Sequence, residues 1–466
     1  MTTPPAAQTF WAPRAWLPGG WREAVLLEID GQGRWQLVQP DTPAPEDVPQ
    51  LAGPVLPGLV DAHSHAFQRA FAGLAERRET EGDDFWSWRD RMYRVAGAVD
   101  PAMLRAIAAQ LYGELLRGGY TQVCEFHYVQ HRPDGQPYAE RHAMIHALVD
   151  AAAEVGIGLT LLPVLYERAG FAQAALRPDQ ARFHFDADDV WAAAQAVQRH
   201  GHPRLNAGVA IHSLRAARPE SLHRLRVLTE GFGGPIHIHV AEQLAEVRDC
   251  LATTGLRPVE WLAQQGLLDA RWQLVHATHV NRAEIMAVAH SGSTAVICPS
   301  TEANLGDGLT DLPAWLRAGV PLAVGSDSQV TRAWREELRW MEYGQRLGLR
   351  SRNVAAAPEA GQPATAERLW QAALDGGAAA AGEALWGIHP GARADLLVVD
   401  LADASLTGIP SGRLLDALVF SSPGRPWRDV MVAGHWVVRE HQQPGSHDRQ
   451  AHFDSVMQRL WVDAAY

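Results

Sequence analysis

The chain of 466 residues contains no lysine; its 41 basic residues are all arginine. A two-metal site bridged by a carboxylated lysine is therefore excluded by composition. Cysteine is scarce. Cys124, Cys250 and Cys298 are odd in number and widely spaced, which excludes a disulfide framework or a Cys-based zinc ribbon and fits a cytoplasmic, reducing location. No apolar run is long enough to span a bilayer. The first residues, Met1 to Ala6, have neither the basic region nor the apolar core of a signal peptide. Positive charge is also in deficit: the formal net charge is −12, which argues against nucleic acid or an anionic membrane surface as a partner. No solenoid-length repeat is present. What remains is an ordinary globular composition, 47% hydrophobic and 20% charged, in a chain long enough to bury a large core.

Residues 1–54 read as short strands (10–11, 23–29 and 34–38) followed by a Pro-rich link. From residue 55 the pattern alternates strand and helix. The candidate strands are 55–65, 121–128, 158–166, 204–212, 235–242, 272–279, 294–299 and 321–326. Ala- and Leu-rich helical stretches, such as 101–117, 140–155, 188–200, 221–230 and 283–291, lie between them. Eight strands, apolar on both faces, predict a closed (β/α)8 TIM barrel in the α/β class. A helical region at 364–382 follows. Residues 388–400 and 429–439 then return to β character, the second as a hairpin turning at Ala-Gly. These segments are expected to join the N-terminal strands in a small β-sandwich domain built from both chain ends. The expected division is 1–54 plus 386–445 for that domain, 55–385 for a metal-dependent barrel, and 446–466 for a C-terminal helical tail.

In such a barrel the reactive groups sit where strands end. The first strand ends in His63-Ser-His65, and alternation puts both imidazoles on one face. The fifth carries His237, His239 and, just past its end, Glu242. The sixth ends with His276 and His279, and the eighth with Asp327. Three or four imidazoles and a carboxylate thus converge on one rim. Neutral imidazole nitrogens and carboxylate oxygens are the donors zinc takes, and a catalytic site keeps a position for water. With no lysine to bridge two ions, one metal is expected.

The spacing of His63-Ser-His65, His239, His276 and Asp327 resembles the amidohydrolase superfamily, in its mononuclear deaminase branch. The segment Cys298-Pro-Ser-Thr-Glu-Ala-Asn-Leu-Gly-Asp-Gly308 is similar to the strand-seven loop of that branch, and the run at 390–396 to its returning β domain. A narrower likeness runs through the stretch from His63 to Glu76, Phe85-Trp-Ser-Trp-Arg-Asp90, Glu125-Phe-His-Tyr-Val129, His212-Ser-Leu-Arg-Ala216 and Ser300 to Gly308. These resemble the formimidoylglutamate deiminase family, which acts on N-formimino-L-glutamate in bacterial histidine degradation and releases ammonia and N-formyl-L-glutamate.

Within that resemblance, His63, His65, His239 and Asp327 are read as ligands of one Zn2+ per subunit; Fe2+ accepts the same donors. Asp327 also takes a proton from the bound water. Its competing reading is N-cap of a helix over 330–347. The resemblance implies that Glu242 is the acid/base at the substrate nitrogen; otherwise it is a first-turn glutamate of a helix over 243–250. His276 is read as steering the attacking oxygen, or else as a barrel histidine bonded to backbone. His237 and His279 are read as structural or as supports behind the ligands, not as site residues. A dicarboxylate amidine substrate needs fixed positive forks, and arginine must supply them here. The resemblance points to Arg89 and Arg215, with Gln68, Tyr128 and His212 as polar partners, and to a homodimer. Two rivals stand beside this reading. One is an aminohydrolase of a purine, pyrimidine or triazine ring, which would want stacking aromatics in place of two arginines. The other is a non-catalytic barrel scaffold, which would hold no metal.

Overall fold

The computed structural model describes residues 7–78 and 84–461. Four strands open the chain: β1 (Gln8–Leu17), β2 (Gly20–Ile29), β3 (Trp35–Gln39) and β4 (Val55–Leu56). The barrel follows with β5 (Leu59–Ser64), β6 (Tyr120–His127), β7 (Gly158–Leu165), β8 (Leu205–Ala207), β9 (Val209–Ile211), β10 (Ile236–Val240), β11 (Trp272–His276), β12 (Thr294–Ile297) and β13 (Leu322–Val324). The chain then returns through β14 (Leu396–Val399), β15 (Trp427–Val432) and β16 (His435–Val438). The last described helix is Ser446–Trp461. The rest of the expected tail, 462–466, lies outside the described residues.

The barrel strands pair in parallel in the order β13-β12-β11-β10-β9-β7-β6-β5, with β8 on β7. β8 and β9 are the two halves of the fourth strand, broken at Gly208. A Cβ there would come within 2.5 Å of the Pro235 carbonyl oxygen. The ring closes where the chain leaving β13 meets β5: the Asp327 amide donates to the His63 carbonyl at 2.9 Å, and the His65 amide to the Asp327 carbonyl at 3.3 Å. Gly325 permits that approach, because a Cβ there would lie 2.7 Å from the His63 Cβ. β5, β6, β7 and β10 are buried on both faces, as a parallel sheet walled by helices must be.

The expected strand over 55–65 is divided. Val55–Leu56 pairs with β1 and β14, and the barrel begins only at Leu59. Pro57 has no amide hydrogen to offer a ladder, so the break falls there. The chain ends build one separate mixed sheet, β16-β15-β14-β4-β1-β2-β3. β1 and β16 are four places apart in that order, yet the rings of Phe10 and Trp436 meet edge-on at 5.5 Å. The sheet therefore curls over its own core, which includes Leu27, Trp35, Leu396 and Met431. The β15–β16 hairpin turns at Ala433 and Gly434, both left-handed, with φ of 50° and 76°. No helix among the described residues is long and apolar enough to cross a membrane.

Candidate active site

The C-terminal rim of the barrel gathers every residue singled out above for chemistry. His63 Nε2 lies 2.9 Å from His239 Nε2 and 3.5 Å from Asp327 Oδ1. His65 Nε2 lies 3.3 Å from the same oxygen. His65 Nδ1 donates to the Phe126 carbonyl at 2.9 Å, and His239 Nδ1 to the His212 carbonyl at 2.9 Å. Those carbonyls settle the tautomers, leaving the Nε2 lone pairs of both rings aimed inward. These two lone pairs, His63 Nε2 and the Asp327 carboxylate thus face one point, an arrangement that fits a divalent cation. His63, His65 and Asp327 offer atoms all within 4.8 Å of one another, as do His63, His239 and His276.

Backbone strain concentrates at the same rim. Ala241, His276, Ala277 and Asp327 have φ of 51°, 68°, 46° and 47°, a left-handed conformation that is uncommon outside glycine. Each lies at or just past a strand end, where the chain must bend to present its side chain; such strain is characteristic of sites held by the surrounding fold.

Burial and neighbouring charge set the protonation states. Burial pushes His63 down to about 3, lowers His65, and takes His239 and His212 well below the ordinary range. All four are neutral imidazoles at pH 7. Burial also acts downward on His276, but Glu242, Glu302 and Asp327 outweigh it and lift the ring to about 10. Burial acts upward on Asp327, and the rings of His63, His276 and His65 overcome it, holding the carboxyl below its usual range. Burial raises Glu242. Its Oε1 lies 3.9 Å from His276 Nε2.

The competing helix-end readings do not match the observed bounds: Asp327 is no N-cap, and Glu242 precedes the N-cap Gln243 instead of sitting in the first turn. The helix expected over 330–347 is Trp334–Leu349, with Ala333 at its N-cap, so Asp327 caps nothing there. The helix after Glu242 is Leu244–Thr254. Its Glu246, not Glu242, receives the amides of Ala241 and Glu242, both at 3.2 Å. His276 Nδ1 meets Glu302 Oε1 at 3.4 Å, so it is backed by a carboxylate, not by backbone. His237 donates from Nε2 to the Ala380 carbonyl, away from the rim, and neither it nor His279 lines the cavity at the site.

Gln68, Arg89, Tyr128, His212 and Arg215 line the same cavity as His65, His239, Glu242, His276 and Asp327. Arg89 comes from the helix Phe85–Ala98, which Asp84 caps through the amides of Trp86 and Ser87. Arg215 follows β9. Its guanidinium is buried, and Nη1 has no hydrogen-bond partner. Arg89 Nε is likewise unpartnered, and its contact with Asp90 is long, at 3.8 Å. Gln68 donates to the Tyr128 hydroxyl at 3.4 Å, while its own Oε1 has no partner.

Sequence reasoning missed the buried carboxylates behind this layer. Asp61 receives the Ser326 amide at 2.8 Å and its hydroxyl at 2.6 Å. Glu125 receives the Ala66 amide at 2.6 Å and the Ser64 hydroxyl at 3.1 Å. Glu302 also receives the Cys298 amide at 3.0 Å. The only carboxylate within a strand buried on both faces was the available signal for Asp61 and for Glu125.

Comparison with known proteins accords with this geometry. The amidohydrolase family model matches residues 55–437. The formimidoylglutamate deiminase of Pseudomonas aeruginosa is 44% identical over 454 residues, covering 96% of this chain and 98% of that protein. A 5-methylthioadenosine/S-adenosylhomocysteine deaminase of Natronomonas pharaonis is 28% identical, over 83% of this chain and 82% of that one. The crystal structure of an amidohydrolase from Brucella melitensis superposes with a TM-score of 0.92 at 39% identity, covering 98% of this chain and all of that one. From its convergent imidazoles to the sheet that its two ends build together, the chain belongs to the amidohydrolase family.

Proposed function

We propose that this enzyme hydrolyses N-formimino-L-glutamate to N-formyl-L-glutamate and ammonia. The observation that carries the reading is the pair of guanidinium groups, Arg89 and Arg215, beside the convergent imidazoles. Neither has a hydrogen-bonded carboxylate among the described residues, and each has a buried nitrogen without a partner. Two such cations facing one cleft fit a substrate with two carboxylates. The formimidoylglutamate deiminase relative supports the same choice.

His63, His65, His239 and Asp327 would hold one metal ion, with zinc proposed and iron the alternative. When bound, such an ion lowers the pKa of its water and polarises the reacting carbon. Arg89 and Arg215 hold the two carboxylates, and the free Gln68 Oε1 accepts from an N–H of the formimino group. Tyr128 and His212 complete the wall. His276, kept protonated by its carboxylate neighbours, orients the attacking oxygen and offsets negative charge as the tetrahedral state forms. Asp327 takes the proton of the attacking water through its carboxylate. Glu242, raised by burial, gives its proton to the imine nitrogen as the oxygen adds; on collapse the proton taken by Asp327 passes to that nitrogen, the hydroxyl proton restores Glu242, the carbon–nitrogen bond breaks and ammonia leaves.

We further propose that the enzyme acts in histidine degradation, in the cytoplasm and as a homodimer, with the domain division stated above except at one edge, where Val55–Leu56 goes with the small sheet. The deciding experiment is ammonia release by the zinc-loaded protein. Turnover of N-formimino-L-glutamate in preference to guanine, cytosine and S-adenosylhomocysteine is the expected result. Absence of that turnover, or preference for a ring amine, overturns the proposal. Light scattering of the purified protein checks the dimer.

A further inference from the structure

The cleft at the site is narrow, about 40 Å3, and runs up against Arg89 and Arg215. A second cavity, about 460 Å3, lies against the same two residues. Both arginines line both cavities, whereas Trp86 lines only the outer one. Its ring is flanked by both guanidinium groups: the Arg89 Cζ is 4.5 Å from the ring centroid and the Arg215 Cζ 5.4 Å. Cation–π contact of this kind holds a guanidinium in place without using up its N–H donors. Trp86 itself is held by the capped first turn of its helix, whose Asp84 receives the Trp86 amide at 2.9 Å, and by Phe85, whose ring lies 5.0 Å from its own.

From this arrangement we propose that Trp86 is a specificity-determining wall, setting the length of substrate the site accepts. The inference rests on the function proposed above. With Trp86 present, a ligand anchored on the two arginines ends at them. A substrate lengthened by one amide-linked residue would have to enter the space the indole ring bounds. Without the indole, the two guanidinium groups that part the cleft from the outer cavity lose the ring that holds them in place, and the space beyond them widens. Because the two guanidinium groups face both spaces, a carboxylate carried one residue further out would still meet them.

The test compares N-formimino-L-glutamate with N-formimino-L-glutamylglycine, joined through either carboxylate, in wild type, Trp86→Phe, Trp86→Leu and Trp86→Ala, all zinc-loaded. Wild type and Trp86→Phe are expected to refuse both amides. Trp86→Leu and Trp86→Ala are expected to raise kcat/KM for at least one amide by about tenfold or more, the scale of a pocket-size change. In the same variants kcat/KM for the parent substrate falls, because the arginines lose their stacking partner. Two outcomes overturn the proposal: wild type turning over an amide as readily as the parent, or Trp86→Leu and Trp86→Ala acting on the parent while gaining nothing on either amide. Should the small variants lose turnover altogether, calorimetric binding of an amide to Trp86→Leu supports the wall, and absence of binding overturns it. A wild-type enzyme inert toward N-formimino-L-glutamate would instead sink the function proposed above.

Discussion

Two buried arginines, one at each end of the barrel, behave in opposite ways. At the end facing the small sheet, Arg393 is saturated. Its Nε and Nη2 grip Asp395 at 3.0 and 2.7 Å, Nη1 donates to Gln122 Oε1 at 2.7 Å, and Nη2 reaches the Thr121 carbonyl at 3.3 Å. Asp395 Oδ1 in turn receives the Ala433 amide at 2.8 Å. At the catalytic rim, Arg215 has a similar degree of burial but no ion pair among the described residues, and one buried nitrogen left unsatisfied. Leaving a buried donor unpaired costs stability, and a fold tolerates that where a ligand completes the network. The saturated arginine ties the sheet of the chain ends to the barrel floor. The unsaturated one faces the cleft, where the function proposed above gives it a substrate carboxylate.

Mutations can break or sharpen this contrast. The largest effect is expected at the metal donors. His239→Ala, or removal of metal by a chelator, should lower kcat by about 10^4-fold or more, since both the activated water and the charge stabilisation are lost together. Elemental analysis alongside the ammonia assay checks that bound metal and activity fall together. Next, Glu242→Gln should lower kcat by about 10^2- to 10^4-fold, the range for a positioned proton carrier, with metal content and KM nearly unchanged. The contrast itself is tested by Arg215→Met and Arg393→Met. The first should lower kcat/KM by about a hundredfold or more, as loss of a buried charge contact does, mainly through KM, while Tm holds or rises. The second should cost about 3–5 kcal/mol of stability, because it strands the Asp395 carboxylate, and leave kcat/KM of the folded fraction intact. Chemical denaturation paired with steady-state kinetics separates the two, and equal losses of stability in both variants would dissolve the distinction. The smallest effect is expected from Glu302→Gln. It weakens the partner of His276 Nδ1 and should lower kcat by about 10- to 100-fold, the range for a group that orients a histidine, without changing metal content.

Much of the fold was legible because its signals are local. Eight apolar strands separated by helical stretches were found near their observed places, since strand and helix periodicities differ. The histidines that converge on the rim were legible because barrel enzymes place reactive groups at strand ends. The misses have physical causes. Pro57 divided the expected first strand between two sheets, a choice made by which neighbours offered hydrogen bonds. The short helices Pro258–Gln264, Pro299–Leu305, Leu312–Ala318 and Leu414–Phe420 are too brief for periodicity to reveal. Asp61, Glu125 and Glu302 went unassigned because a carboxylate's role depends on partners distant in sequence.

By itself the sequence determined the kinds of group available: imidazoles in pairs and singly at strand ends, arginine as the sole fixed cation, and no lysine to bridge a second metal. Those are properties of composition and spacing, and they hold before the chain folds. Tertiary structure alone decided which groups are satisfied and which are left open. Arg393 and Arg215 are the same residue type, and only the closure of the barrel and the curl of the sheet gave one a carboxylate in hydrogen-bond contact and left the other facing a cleft, with Glu246 and Glu242 acting on it only at longer range. Satisfaction of a buried charge depends on distances of a few ångströms between segments far apart in the chain, and only the packed molecule sets those distances.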